Sequence, residues 1–140
     1  MYVLRCIMLS LLLITCVHHK NIFSMTPRLV IGAESMQGFR DYMEDFYGLT
    51  PPADAEALGF PLFYSVFDGH AGADAADYAA HALIHNIIRN TFWPDNIPQA
   101  IRHGFATTHA EYRGSAGTTV VTALIRDGIL YVANAGDSEA

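Results

Sequence analysis

"FPLFYSVFDGHAG" (Phe60–Gly72) changes character halfway along. Its first eight residues are an apolar, aromatic run of the kind that forms a buried strand, and Asp68, Gly69 and His70 follow with no spacer. An aspartate at the carboxyl end of a buried strand is costly unless it is hydrogen-bonded or coordinates a metal. Gly69 frees its own carbonyl to turn toward the same place, and His70 adds a titratable donor beside it. Taken alone the tripeptide is weak, because aspartate and glycine close many turns.

Working outward, "PRLVIGAES" (Pro27–Ser35) predicts a short strand after a proline, and "DFYGLT" (Asp45–Thr50) a second. Proline and glycine at its ends make "PPADAEALGFP" (Pro51–Pro61) a loop. The third strand runs to Phe67. After Gly72, "ADAADYAAHALIHNIIRN" has no internal Gly or Pro and spaces Ala76, Ala79, Ala80, Leu83 and Ile87 as one helical face, which predicts a helix over 73–90. Asp74 and Asp77 suit the positive end of its dipole. A second helix is expected over Pro98–Tyr112, with Ile101, Phe105, Thr108 and Tyr112 on one face and Gly114 as its stop. "TTVVTALI" and "ILYVANAGDS" then flank "RDG", two β-branched strands with an Asp-Gly hairpin turn. Strand, strand, strand, helix, helix, hairpin is an α+β order, without βαβ alternation.

The 140 residues are 51% hydrophobic and 16% charged, the composition of a core-forming globular chain. A formal net charge of −6 with eight scattered basic residues excludes a binder of nucleic-acid phosphates. The acids, by contrast, gather. Glu34, Asp41, Glu44, Asp45, Asp54, Glu56, Asp68, Asp74 and Asp77 share one window in which Arg40 is the only Lys or Arg. Such a window either faces water or gathers a counter-cation. Both cysteines, Cys6 and Cys16, lie in the apolar N-terminus, so the remainder offers no thiol for a soft-metal site. Carboxylate oxygens select Mg²⁺ or Mn²⁺ instead.

Residues 1–24 carry one early Arg5 and an apolar stretch shorter than the about 18–20 residues of a membrane span. Two readings stand: a secretory signal or anchor, or a dispensable leader. Residues 25–140 are expected to form the amino-terminal part of a domain. Elsewhere, His81 and His85 share a helix face at i, i+4, without the glutamate of a zincin pattern; His103 and His109 read as surface residues. Trp93 reads as a packing anchor, Thr118 as the start of a strand, and Thr118 and Thr119 as placing hydroxyls in the core beside the metal-bearing strands. Arg40 has the planar fork that suits a phosphate dianion. Carboxylates, a guanidinium and an imidazole together make the outline of a site for phosphate-ester hydrolysis.

Four motifs occur in order: "MQGFRDYMED", "VFDGHAG", "AGTTVV" and "YVANAGDS". Together they resemble the metal-dependent protein serine/threonine phosphatases of type 2C, from about Pro27 to the last residue. The resemblance implies an α-β-β-α sandwich of two antiparallel sheets flanked by helices, of which this chain holds the amino-terminal part. It implies Asp68 as the aspartate bridging two Mg²⁺ or Mn²⁺ ions, and Gly69 as a carbonyl ligand to one of them. Glu44 and Asp45 then hold metal-bound waters, and Asp137 helps hold a third, looser ion. Arg40 grips the phosphate, and His70 protonates the departing Ser or Thr oxygen as a metal-activated water attacks. Phosphoserine and phosphothreonine proteins are the implied partners, and the cytoplasm the implied location unless the N-terminal segment is a true signal. Two departures stand out. Glu139 replaces the arginine of the family's usual "GDSR", and two later metal aspartates of the family lie beyond Ala140. A truncated, catalytically inactive interaction module is therefore the alternative, and half a sandwich is expected to leave an apolar sheet face uncovered.

Overall fold

The computed structural model describes residues 31–50, 55 and 61–139. Contacts divide the chain into two units, Met1–Arg40 and Asp41–Ala140. In the first, Gly38 turns the backbone at φ +63°, and Gln37 and Arg40 close the turn through their main chains and the Gln37 amide. Ile31–Ser35 do not form the expected strand: no ladder partner meets them among the described residues. Pro27–Val30 and residues 1–24 lie outside the described residues.

The second unit carries strands β1 (Phe46–Leu49), β2 (Leu62–Phe67) and β3 (Gly69–His70), helices α1 (Asp74–Ile88) and α2 (Ile97–Glu111), and strands β4 (Gly117–Thr118), β5 (Val120–Arg126) and β6 (Ile129–Ala135). An antiparallel sheet runs β1-β2-β5-β6, and β3 pairs with β4 in a second, two-stranded sheet. The chain is thus α+β, with its helices packed against one face of an antiparallel sheet. Of the expected loop Pro51–Pro61, Ala55 is described as a buried, helical residue rather than a loop residue, and Pro61 as a buried one.

Strand alternation decides which face meets the helices. Phe63, Ser65 and Phe67 of β2 and Val120, Thr122 and Leu124 of β5 point inward, while Val66 is exposed. They meet Ala76, Ala79, Leu83 and Ile87 of α1 and Ile97, Ala100 and Ile101 of α2 in one core. Two buried hydroxyls on this face satisfy each other: Ser65 Oγ donates to Thr122 Oγ1 at 2.8 Å, which donates on to the Tyr64 carbonyl at 3.1 Å. The opposite face stays apolar and open among the described residues, with Tyr47 49%, Leu130 46% and Val132 56% exposed.

Local chemistry sets the element ends. Asp127 (φ +53°) and Gly128 (φ +77°) form a two-residue turn that pairs Arg126 with Ile129, the left-handed hairpin geometry that Asp-Gly favours. Helix α1 stops two residues short of the expected 90. The Asn90 side-chain amide lies 2.9 Å from the carbonyls of Asn86, Ile87 and Ala100, closing the helix and stapling it to α2. Asn96 caps α2 by accepting from Gln99 N–H at 3.2 Å. Gly114 is not the stop of α2, since Tyr112 already takes extended backbone. Nor does Tyr112 join the core face, which is completed by Gly104. Trp93 sits half-buried against the core under the Arg126 guanidinium, 4.7 Å from its ring centre, as a packing residue.

At Gly104 the two helices lie in close contact: a Cβ there would stand 2.5 Å from Ile87 Cγ1 and 3.0 Å from Ile87 N. Alanine in an exposed helix interior gains about 1 kcal/mol over glycine, whereas overpacking costs about 1–3 kcal/mol. Gly104→Ala is therefore expected to lower the urea midpoint of unfolding, against the helix-propensity trend; a raised midpoint would show that the helix pair is looser than described.

Candidate functional site

Register assembles the site. The β1–β2 ladder ends where Phe46 pairs with Phe67, and the segments that carry Glu44–Asp45 and Asp68–Gly69 leave it from that same end. There the two segments touch: a Cβ on Gly69 would overlap the Glu44 carbonyl oxygen and stand 3.2 Å from Glu44 Cβ. Only glycine permits that approach. Glu44 then reaches along the turn, where its Oε1 accepts from Gly72 N–H at 2.8 Å. Two motifs more than twenty residues apart thus close on each other through backbone and carboxylate together.

Two further motifs arrive through Thr119. Its N–H donates to the Asp68 carbonyl at 2.9 Å, and its hydroxyl lies 3.4 Å from Asp68 N–H and 2.6 Å from Ser138 Oγ. Thr119 is buried, so this hydroxyl ties the strand carrying Asp68 to the turn carrying Asp137. That turn bends at Gly136 (φ +102°), and Asn134 Nδ2 donates to the Ser138 carbonyl at 2.7 Å. Thr119 is buried as expected, but it lies between β4 and β5 rather than within a strand, and its link to Ser138 has no sequence signal. Thr118 forms β4 and gives its hydroxyl to the Thr119 carbonyl.

His70 is exposed and pairs with Gly117 across the β3–β4 ladder. Its ring lies over Gly117, where a Cβ would be 2.7 Å from His70 Cε1. Gly69 is buried between exposed Asp68 and exposed His70. Arg40 is exposed and belongs to the first unit, outside the geometry described here. His81 stays with its own helix, Nδ1 lying 2.8 Å from the Asp77 carbonyl and 3.3 Å from the Asp77 carboxylate.

Among the described residues no three His, Cys, Asp or Glu side chains cluster closely enough to hold a metal ion by themselves. The donor set nonetheless fits a hard cation. Glu44, Asp45, Asp68 and the Gly69 carbonyl offer oxygen donors only, the kind a hard cation takes.

Beyond these motifs, the Tyr112 hydroxyl donates to Asp74 Oδ2 at 2.5 Å. That hydrogen bond, with burial and the carboxylate's charge behind it, raises the Tyr112 pKa above the ordinary value of about 10. Tyr78 and Tyr64 are also raised, each mainly by desolvation. No helix among the described residues is long and apolar enough to cross a membrane.

The family model for protein phosphatase 2C matches residues 29–140. This chain belongs to the protein phosphatase 2C family. It is similar to a rice protein (Oryza sativa subsp. japonica) named probable protein phosphatase 2C 27, at 34% identity over 84% of this chain and 37% of that protein. A second similar protein is probable protein phosphatase 2C 59 of Arabidopsis thaliana, 35% identical over 84% of this chain and 39% of that protein. Probable protein phosphatase 2C T23F11.1 of Caenorhabditis elegans is 33% identical over 79% of this chain and 33% of its own length. The chain spans less than half the length of these curated relatives.

Two outcomes are expected from this geometry. Thr119→Val removes the hydroxyl at nearly constant volume and leaves Ser138 unpaired, so it should cost about 1–3 kcal/mol in denaturant unfolding, with Thr119→Ser recovering most of it; equal stability of all three proteins would contradict the link. For Tyr112, a pKa raised in the folded state contributes stability that is present below about pH 10 and lost as pH rises through the raised value. The stability difference between wild type and Tyr112→Phe should accordingly shrink only in that alkaline range, and a difference independent of pH would exclude the Asp74 bond as its cause.

Proposed function

We propose that this chain carries part of a Mg²⁺- or Mn²⁺-dependent phosphatase that hydrolyses phosphoserine and phosphothreonine in proteins. The observation that supports it most is the seating of Gly69 on Glu44, which brings the Asp68 turn and the Glu44–Asp45 pair to one sheet end. Asp68 and the Gly69 carbonyl would hold the ions, with Glu44 and Asp45 accepting from waters around them and Asp137 serving a looser one. Ions so held supply an acidified water and neutralise phosphoryl charge. His70, exposed on its glycine platform, hands a proton to the departing serine or threonine Oγ. Arg40 brings the guanidinium for the phosphoryl oxygens, a role that rests on its place in "GFRDYMED".

A second reading, a phosphatase-like interaction module without turnover, draws on the lack of a three-ligand cluster among the described residues. Calorimetry separates the two. The enzyme reading expects Mn²⁺ to bind and Asp68→Ala to weaken binding by about 100-fold or more, with Mn²⁺-stimulated phosphate release from a phosphothreonine peptide by the whole protein. No Mn²⁺ binding and no metal-dependent release would leave the module. Location follows the fate of residues 1–24: the family resemblance favours the cytoplasm, whereas a segment that acts as a true signal would make the protein secreted or membrane-anchored, and the mass of the mature N-terminus tells whether it is removed.

A further inference from the structure

We infer that Tyr112, acting through Asp74, is a positioning residue that holds the turn from His70 to Ala73 against the segment leading into β4. The inference rests on the phosphatase reading for its consequence, since His70 is the group being placed. Neither Tyr112 nor Asp74 belongs to the four motifs.

The turn needs holding. Ala71 at φ +60° and Gly72 at φ +129° are successive residues in the left-handed half of backbone space, and an alanine stays there only where its surroundings require it. On one side Glu44 takes the Gly72 N–H. On the other, three contacts with residues 112–117 line up in order. The His70 ring covers Gly117; a Cβ on Gly72 would stand 3.3 Å from Ala116 Cβ; and Gly114 folds over the Tyr112–Asp74 pair so closely that a Cβ there would be 2.6 Å from Asp74 Oδ2. In this seam the Tyr112–Asp74 bond supplies the directional side-chain contact. It exists because α2 ends at Glu111: extended Tyr112 leaves the helix face, rests on the Tyr78 ring at 5.7 Å and reaches the first residue of α1. Asp74 in turn has an oxygen beside Gly72, so fixing its carboxylate fixes the turn that precedes it.

The test compares wild type, Tyr112→Phe, Asp74→Asn and Asp74→Ala in the full chain by NMR. Tyr112→Phe keeps the ring on Tyr78, and Asp74→Asn keeps an acceptor. Amide exchange at His70–Ala73 is expected to rise about fivefold in Tyr112→Phe and Asp74→Ala and to stay within about twofold of wild type in Asp74→Asn. Amides of Phe63 and Leu124 should not change, and the proximity signal between the His70 ring and Gly117 should fade in the first two variants alone. Unchanged exchange at the turn in Tyr112→Phe, an equal rise in the core strands, or Asp74→Asn as open as Asp74→Ala would each overturn the inference. Should these effects appear in a protein that neither binds Mn²⁺ nor releases phosphate, the phosphatase reading falls and the positioning role remains.

Discussion

Everything at the acidic end of the sheet depends on how near the Gly69 backbone comes to Glu44. That approach follows from the antiparallel register of β1 and β2, fixed inside the core by Phe63 and Phe67 facing the helices. A slip of one residue would turn those aromatics outward and unseat Gly69 from Glu44 in the same movement. Hydrophobic burial and the placing of charge are therefore one event. A side chain at position 69 would force the two segments apart, whatever the carboxylates offered to a cation.

The rest of the site is a set of ties to that corner. Thr119 fastens the turn of Asp137 to the backbone of Asp68, and Gly117 leaves room for the His70 ring. Helix α1 departs directly from the turn, so its packing on α2 through Gly104 and Asn90 sets where the turn sits. Stability and function share parts here: the core orients the helices, and the helices bracket the loop that bears the imidazole.

Much of this was legible in the sequence, for identifiable reasons. The apolar run to Phe67, the alanine-rich helix and the Asp-Gly hairpin each carry a strong local preference that tertiary structure does not oppose, and their spans lie within two or three residues of expectation. Glu44 and Gly69, singled out in two separate motifs, do meet. What stayed hidden depends on partners distant in sequence. Ile31–Ser35 look like a strand, but composition does not say whether a neighbour will pair with them. Tyr112 fits the apolar spacing of α2, yet one residue of extended backbone turns it to Asp74. Gly114 reads as a helix stop and instead makes room for that pair.

Paramagnetic broadening by Mn²⁺ tests the central claim most directly. Substoichiometric Mn²⁺ added to the isotopically labelled chain should first erase the amide signals of Glu44, Asp45, Asp68 and Gly69 together, leaving those around Trp93 and Asn96 sharp. Broadening that reached Glu44 and Asp45 but spared Asp68 and Gly69, or that fell on another acidic stretch, would contradict a shared cation site at this sheet end.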